Sequence, residues 1–234
     1  VTWERAGFKR SDVNAQLAAY DINMSRSEYV ARDVTFTNKF YFHTSLKGIL
    51  TDKVMVNKKP EDADYPVFES YQKDFRIKNL YENINYEGGL SMQGSKLVGT
   101  GNRLEPAKVF IYRKDTLVLI ARASYFAFKS NRINAPSASI VIRLKNDSIF
   151  HPGLALSYII PSKELTLYRT DDFSSQSPYF DSFHNIDMSF EQLVWKMNEP
   201  VMRFSALMGS SIGHANFESV GFFNYDQYQS MQMM

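Results

Sequence analysis

The amino-acid sequence predicts a mainly β fold: antiparallel strands stacked as a solenoid or jellyroll, with few short helices, one of them near the C-terminus. Three observations carry this expectation. Apolar and polar residues alternate with period two over many short runs. Clusters of turn-forming residues separate those runs at intervals of roughly ten residues between 105 and 170, as sandwiches, barrels and solenoids require. Long amphipathic helical patterns between the runs, which a parallel α/β fold demands, do not occur.

The elements follow in order. Residues 10–20 suit either a short helix capped by Ser11 or Asp12, or a strand built on Val13, Ala15 and Leu17. Residues 34–36, 40–42 and 54–56 are short aromatic or β-branched runs that read as strands. Residues 57–64 form a polar loop, because Pro60 is barred from a central strand. Residues 109–112 and 117–121 flank Arg113-Lys114-Asp115 and predict a tight hairpin. Ile140, Ile142 and Leu144 share one face of the next strand, which Lys145, Asn146 and Asp147 turn. Residues 154–158 and 165–168 form a further pair around Pro161, Ser162 and Lys163. Residues 190–197 are ambiguous between helix and strand and stop at Pro200. Residues 225–234 lack β-branched side chains and predict the C-terminal helix.

Composition narrows the function classes. The 234 residues hold 27 Lys+Arg against 25 Asp+Glu, a net charge of +2, too balanced for a chain built to grip phosphate backbones. There is no cysteine, which excludes disulfide scaffolds and thiolate metal sites. The hydrophobic fraction of 44% excludes disorder. No apolar run approaches the ~20 residues of a membrane-spanning helix. Aromatic residues reach 15%, and their place on strand-like runs reads as packing.

Two internal echoes stand out. Val30-Ala31-Arg32 with Phe36 matches Ile120-Ala121-Arg122 with Phe126. Pro66-Val67-Phe68-Glu69-Ser70-Tyr71 matches Pro178-Tyr179-Phe180-Asp181-Ser182-Phe183, and Phe217-Glu218-Ser219 repeats its centre. The expectation is a repeated turn of β-structure, in which Pro66 and Pro178 open a bend, Phe68 and Phe180 pack inward, and Glu69-Ser70 and Asp181-Ser182 cap backbone donors.

Chemistry-bearing patterns are weak. Gly94 and Gly99 have the separation of a phosphate loop, but Thr100 stands where the lysine belongs, so the segment reads as a corner between strands. His43, His151, His184 and His214 lack ligand spacing, so no metal site and no cofactor are expected. Asp147, Ser148 and His151 crowd one stretch without a nucleophile elbow, and read as a polar turn that Pro152-Gly153 bends into the next strand. No catalytic residue is assigned.

Residues 88–101, the hairpin at 109–121, Asp147-Ser148-Ile149-Phe150-His151-Pro152-Gly153-Leu154 and residues 165–169 together resemble the OstA-type β-jellyroll repeat of lipopolysaccharide-transport proteins. That resemblance implies short strands stacked into an open, V-shaped solenoid with an apolar interior groove. The whole chain is also similar to a segment of very large bacterial envelope-type proteins. The residues that carry this are Trp3-Glu4, Tyr65-Pro66, Phe68 to Tyr71, Gly88-Gly89, Asp147 to Ile149, His151 to Gly153, Ser177-Pro178, Asp181-Ser182 and Phe217 to Ser219.

The functional expectation is a non-catalytic structural or partner-binding module of a larger cell-envelope protein, in the periplasm or at the outer membrane. Its segments would be 1–87, 88–170 and 171–234 of one continuous β-stack. Its partners would be neighbouring domains of the parent chain or another copy, with no nucleic acid. The alternative is a conduit for lipid or glycolipid, lined by Ile140, Ile142, Leu154, Leu156, Leu165 and Leu167. A carbohydrate-active hydrolase, the remaining reading, would look first to Asp147, His151, Asp171 and Asp181.

Overall fold

A computed structural model describes residues 1–53, 59–206, 215–221 and 229. Among them the chain forms nineteen strands and three single turns of 3-10 helix, at Glu4–Ala6, Pro60–Asp62 and Phe173–Gln176. The fold is mainly antiparallel β, as its alternating runs predict.

The strands begin with β1 (Val13–Gln16), β2 (Asp21–Asn23), β3 (Glu28–Asn38), β4 (Leu46–Lys53), β5 (Val67–Ser70), β6 (Phe75–Tyr81) and β7 (Ile84–Gln93). The middle of the chain supplies β8 (Lys96–Thr100), β9 (Ala107–Arg113), β10 (Thr116–Ala123), β11 (Tyr125–Lys129), β12 (Arg132–Leu144) and β13 (Asp147–Ile159). The last are β14 (Glu164–Tyr168), β15 (Tyr179–Asp181), β16 (Ile186–Ser189), β17 (Gln192–Lys196), β18 (Met202–Ser205) and β19 (Asn216–Ser219).

Their pairing makes two ladders. The first runs from β1 and β2 through β3, β4 and β5, then the C-terminal half of β7, then β8, β11, the start of β12, the end of β13, β14, β17 and β18. The second starts at β6 and runs through the N-terminal half of β7, then β9, β10, the end of β12, the start of β13, β15, β16 and β19. The long strands β7, β12 and β13 therefore belong to both ladders and bend between them.

From β5 onward the chain makes a hairpin within one ladder, crosses to the other, and makes the next hairpin there. As far as β18, all crossings then fall on one side of the molecule, a hinge. The hairpin tips of both ladders fall on the opposite side as two lips. Ring contacts tie the ladders together across the interior. Tyr86 in the second ladder meets Phe128 in the first at 5.2 Å, and Phe190 stacks on both Tyr179 and Phe204 at 4.2 and 4.3 Å. One continuous apolar core results, from Trp3 to Met197.

The bends have local causes. Burial alternates along a strand, and at a crossing its phase slips by one residue, so that both halves face the core. Ile133 and Ala135 point inward before the bend in β12, and Ala138, Ile140 and Ile142 after it, with Pro136 between. In β13 Ile149 and His151 point inward before Gly153, and Leu154, Leu156 and Tyr158 after it. The first echo marks similar places. Ala31 and Val34 flank a register shift in β3, where Asp33 has φ 55°, and Ala121 with Ala123 precedes the β10–β11 break that Phe126 follows.

Several expectations need correction. Residues 10–20 and 190–197, open between helix and strand, take the strand alternative as β1 and β17. Residues 40–42 are not a strand: Asn38 Oδ1 accepts the backbone N–H groups of Phe40 and Tyr41, which turns the chain there. Asp147 to Gly153 is not a turn but the first half of β13, because it pairs with both β12 and β15. Leu144 leaves the inward face and is exposed at the hairpin tip. The segment boundary at 87/88 falls inside β7. Residues 54–56, His214 and, apart from Gln229, the C-terminal helix lie outside the described residues.

Candidate functional site

The interior between the ladders gathers the six proposed lining residues. Ile140 and Ile142 come from the second ladder, Leu156, Leu165 and Leu167 from the first, and Leu154 stands beside the bend of β13. All six face the common core, and none is more than 3% exposed. Leu165 opposes Trp195 and Leu167 opposes Leu193 in the neighbouring strand, so the apolar surface continues into β17.

Among the described residues one hydrogen bond joins the lips. The Tyr81 hydroxyl, at the end of β6, donates to the Lys129 carbonyl at the end of β11, 2.9 Å away. Among the described residues no other hydrogen bond joins a tip of one ladder to a tip of the other. Beside this contact a cleft of about 510 Å³ opens between the lips. Asn83, Tyr112, Arg113, Lys114 and Asp115 form its wall on the second ladder. Tyr158, Lys163, Met197 and Asn198 face them from the first. Tyr158 and Met197 lie deepest, 4% and 2% exposed. Burial, reinforced by the charge of Glu82, pushes the Tyr158 hydroxyl up to about 12. The ring therefore stays neutral, an amphipathic surface between the polar rim and the core.

A second cleft, about 570 Å³, lies on the hinge side against Tyr71, Lys73, Asp74, Glu87, Glu105 and Lys108. Glu87 bonds Lys108 at 2.7 Å and Arg76 at 2.9 Å. The Lys108 ammonium is the chief reason its carboxyl stays below the usual range. A carboxylate so paired is an ion-pair partner, the opposite of the raised acid that glycoside cleavage needs.

The residues singled out for hydrolysis are engaged locally. His151 is fully buried; its Nδ1 accepts the Gly153 N–H at 3.1 Å, and its Nε2–H donates to the Ser177 carbonyl at 2.8 Å. Burial lowers its pKa to about 4, with the Arg169 charge adding to the effect. Asp147 accepts from the Ser182 hydroxyl at 3.2 Å. Asp181 accepts the Phe183 N–H at 2.9 Å and holds His184 at 2.7 Å. Asp171 is exposed in the loop before the last 3-10 turn. Among the described residues no three His, Cys, Asp or Glu side chains cluster in a way that would hold a metal ion.

The second echo lies on strands β5 and β15 and the residues beside them. Its serines act alike: Ser70 accepts the Leu90 N–H and Ser182 the Ser148 N–H, each at 2.9 Å. Its aromatics do not. Phe68 is fully buried, whereas on β15 the inward ring is Tyr179 and Phe180 is only half-buried. Glu69 pairs with Lys73 across exposed surface instead of capping backbone.

The cleft residues escape sequence reasoning because they come from separate turns. The one local sign is the polar tips Arg113-Lys114-Asp115 and Pro161-Ser162-Lys163, each recognised only as a turn.

No helix among the described residues is long and apolar enough to cross a membrane. No protein family and no curated protein matches the chain. A search of solved structures returned LptH from Pseudomonas aeruginosa, described as the LptA-homologous periplasmic component of the lipopolysaccharide transport device. The alignment covers 89% of this chain and 95% of that one, with 9% identity and a TM-score of 0.25. A TM-score that low does not establish a shared fold.

Proposed function

We propose that the chain is a non-catalytic envelope component that holds an apolar chain, of a lipid or glycolipid, between its two ladders. One observation carries the reading: a mostly apolar interior, hinged along one side, meets a cleft between the hairpin tips on the other. Ile140, Ile142, Leu154, Leu156, Leu165 and Leu167 line that interior. Acyl chains bind such surfaces by the same loss of apolar hydration that drives core packing.

The test is photocrosslinking. A benzophenone side chain at Leu156 or Leu165 is expected to attach to lipid in bacterial membrane extract, while one at the outward Thr166 is not. Absence of lipid adducts from every interior position would end the conduit reading.

A second reading rests on the strand edges. Among the described residues nothing pairs with the outer edge of β18 or β19, and their side chains are largely exposed. Such edges accept further strands. A module of a longer envelope protein would join its neighbour or another copy there. Sedimentation over a wide concentration range tests the second-copy form, which predicts association that weakens on dilution.

A further inference from the structure

We infer that the cleft between the hairpin tips is a lateral port into the interior, and that the Tyr81–Lys129 hydrogen bond is the latch limiting it. The inference rests on the conduit reading for its purpose, but not for its mechanics. From β5 to β18 every crossing of the chain lies on the hinge side, so among the described residues no backbone strand ties the two lips together. The hydrogen bonds that link neighbouring tips run within one lip: Tyr112 N–H to Asn83, Ile160 N–H to Asn131 and Met197 N–H to Lys163.

Among the described residues Tyr81 alone makes a hydrogen bond across. It is half-buried, with its ring packed on the core and its hydroxyl at the surface. Asn83, two residues on, already lines the open cleft. Inward from the cleft, Tyr158 leads to Leu156 and Met197 to Trp195 along the same strand faces. A rotation of the lips about the hinge would expose these residues without breaking a ladder bond. The latch hydrogen bond is a neutral contact at the protein surface, so it is weak enough to open on binding.

The absence of cysteine makes the test clean. A thiol placed at Met197 is shielded until the lips part, so its labelling rate reads the open population. Tyr81→Phe keeps the ring and deletes the latch. It is expected to raise labelling of Met197→Cys about fivefold, the loss of one net hydrogen bond. Labelling of Val13→Cys, fully buried at the N-terminal end of the first ladder and far from the port, is expected to stay unchanged. Equal rates with and without Tyr81→Phe, or a parallel rise at both positions, would overturn the latch. If Tyr81→Phe fails to fold, the native tyrosine is kept. A bismaleimide staple between cysteines at Asn83 and Lys163 then has to exclude lipid from a crosslinker at Leu165. Adducts that persist with the lips stapled would overturn the port. Lipid adducts absent from unstapled protein would instead sink the conduit, while the labelling rates still judge the latch.

Discussion

His151 shows how a residue suited to chemistry becomes structural. Both ring nitrogens are bonded to backbone beside the bend of β13. Protonation would put a donor on Nδ1 facing the Gly153 N–H, and a second charge near Arg169. The folded pKa is about 4 against an ordinary 6.5, so the unfolded chain takes up this proton first as pH falls. Stability from this group is whole above pH 6.5 and drains between there and about 4. Urea unfolding should show a loss of about 2 kcal/mol between pH 7 and 5 attributable to this group. His151→Gln, which cannot titrate, should flatten that slope, and an unaltered slope would refute the assignment. The sequence displayed Asp147, Ser148 and His151 together but not the Ser177 carbonyl 26 residues away that occupies the ring.

Among elements, the hairpin of β9 and β10 was legible before any coordinates, since apolar alternation stops at Arg113-Lys114-Asp115 and resumes. Its turn is strained, because Lys114 and Asp115 adopt φ of 47° and 61°. That conformation costs L-residues about 1 kcal/mol each and suits Asn-Gly. Replacing Lys114-Asp115 by Asn-Gly should stabilise the protein by roughly 0.5–1 kcal/mol in thermal unfolding. The bends were harder to read. Their sign is the one-residue slip of phase, as where Ala121 and Ala123 give way to Phe126 and Phe128, and a slip looks like two unrelated strands until the crossing is seen. The first echo marked one such place, at Ala121 to Phe126, and a register shift within a single ladder in β3, without revealing what either does. The lips stayed hidden for another reason: tips adjacent in space are separated in sequence by whole hairpins.

For the molecule as a whole, β7, β12 and β13 each belong to both ladders, so neither ladder can unravel alone. Trp3 sits in the N-terminal part of the core and Trp195 in β17. Variants carrying only one tryptophan, Trp3→Phe or Trp195→Phe, are expected to show each indole unfolding within the transition seen by circular dichroism. Separate transitions would mean independent segments. Leu156→Ala, in the middle, should cost about 2–5 kcal/mol and shift both signals together. The β class and the recurring hairpins followed from alternation and turn spacing, while the apolar interior was implied only by the family resemblance.

The rhythm of hairpin then crossing also bears on how the chain is made and how it changed over time. Each new hairpin pairs mainly with ones just completed, so the stack can form in order as the polypeptide emerges, each finished unit templating the next. The same rhythm makes the unit countable: inserting one more hairpin and crossing on each side would lengthen the stack without altering any existing register. Duplication is thus the cheapest mutation by which such a protein grows, and the echo of Val30 to Phe36 in Ile120 to Phe126 has the form of what that growth leaves behind.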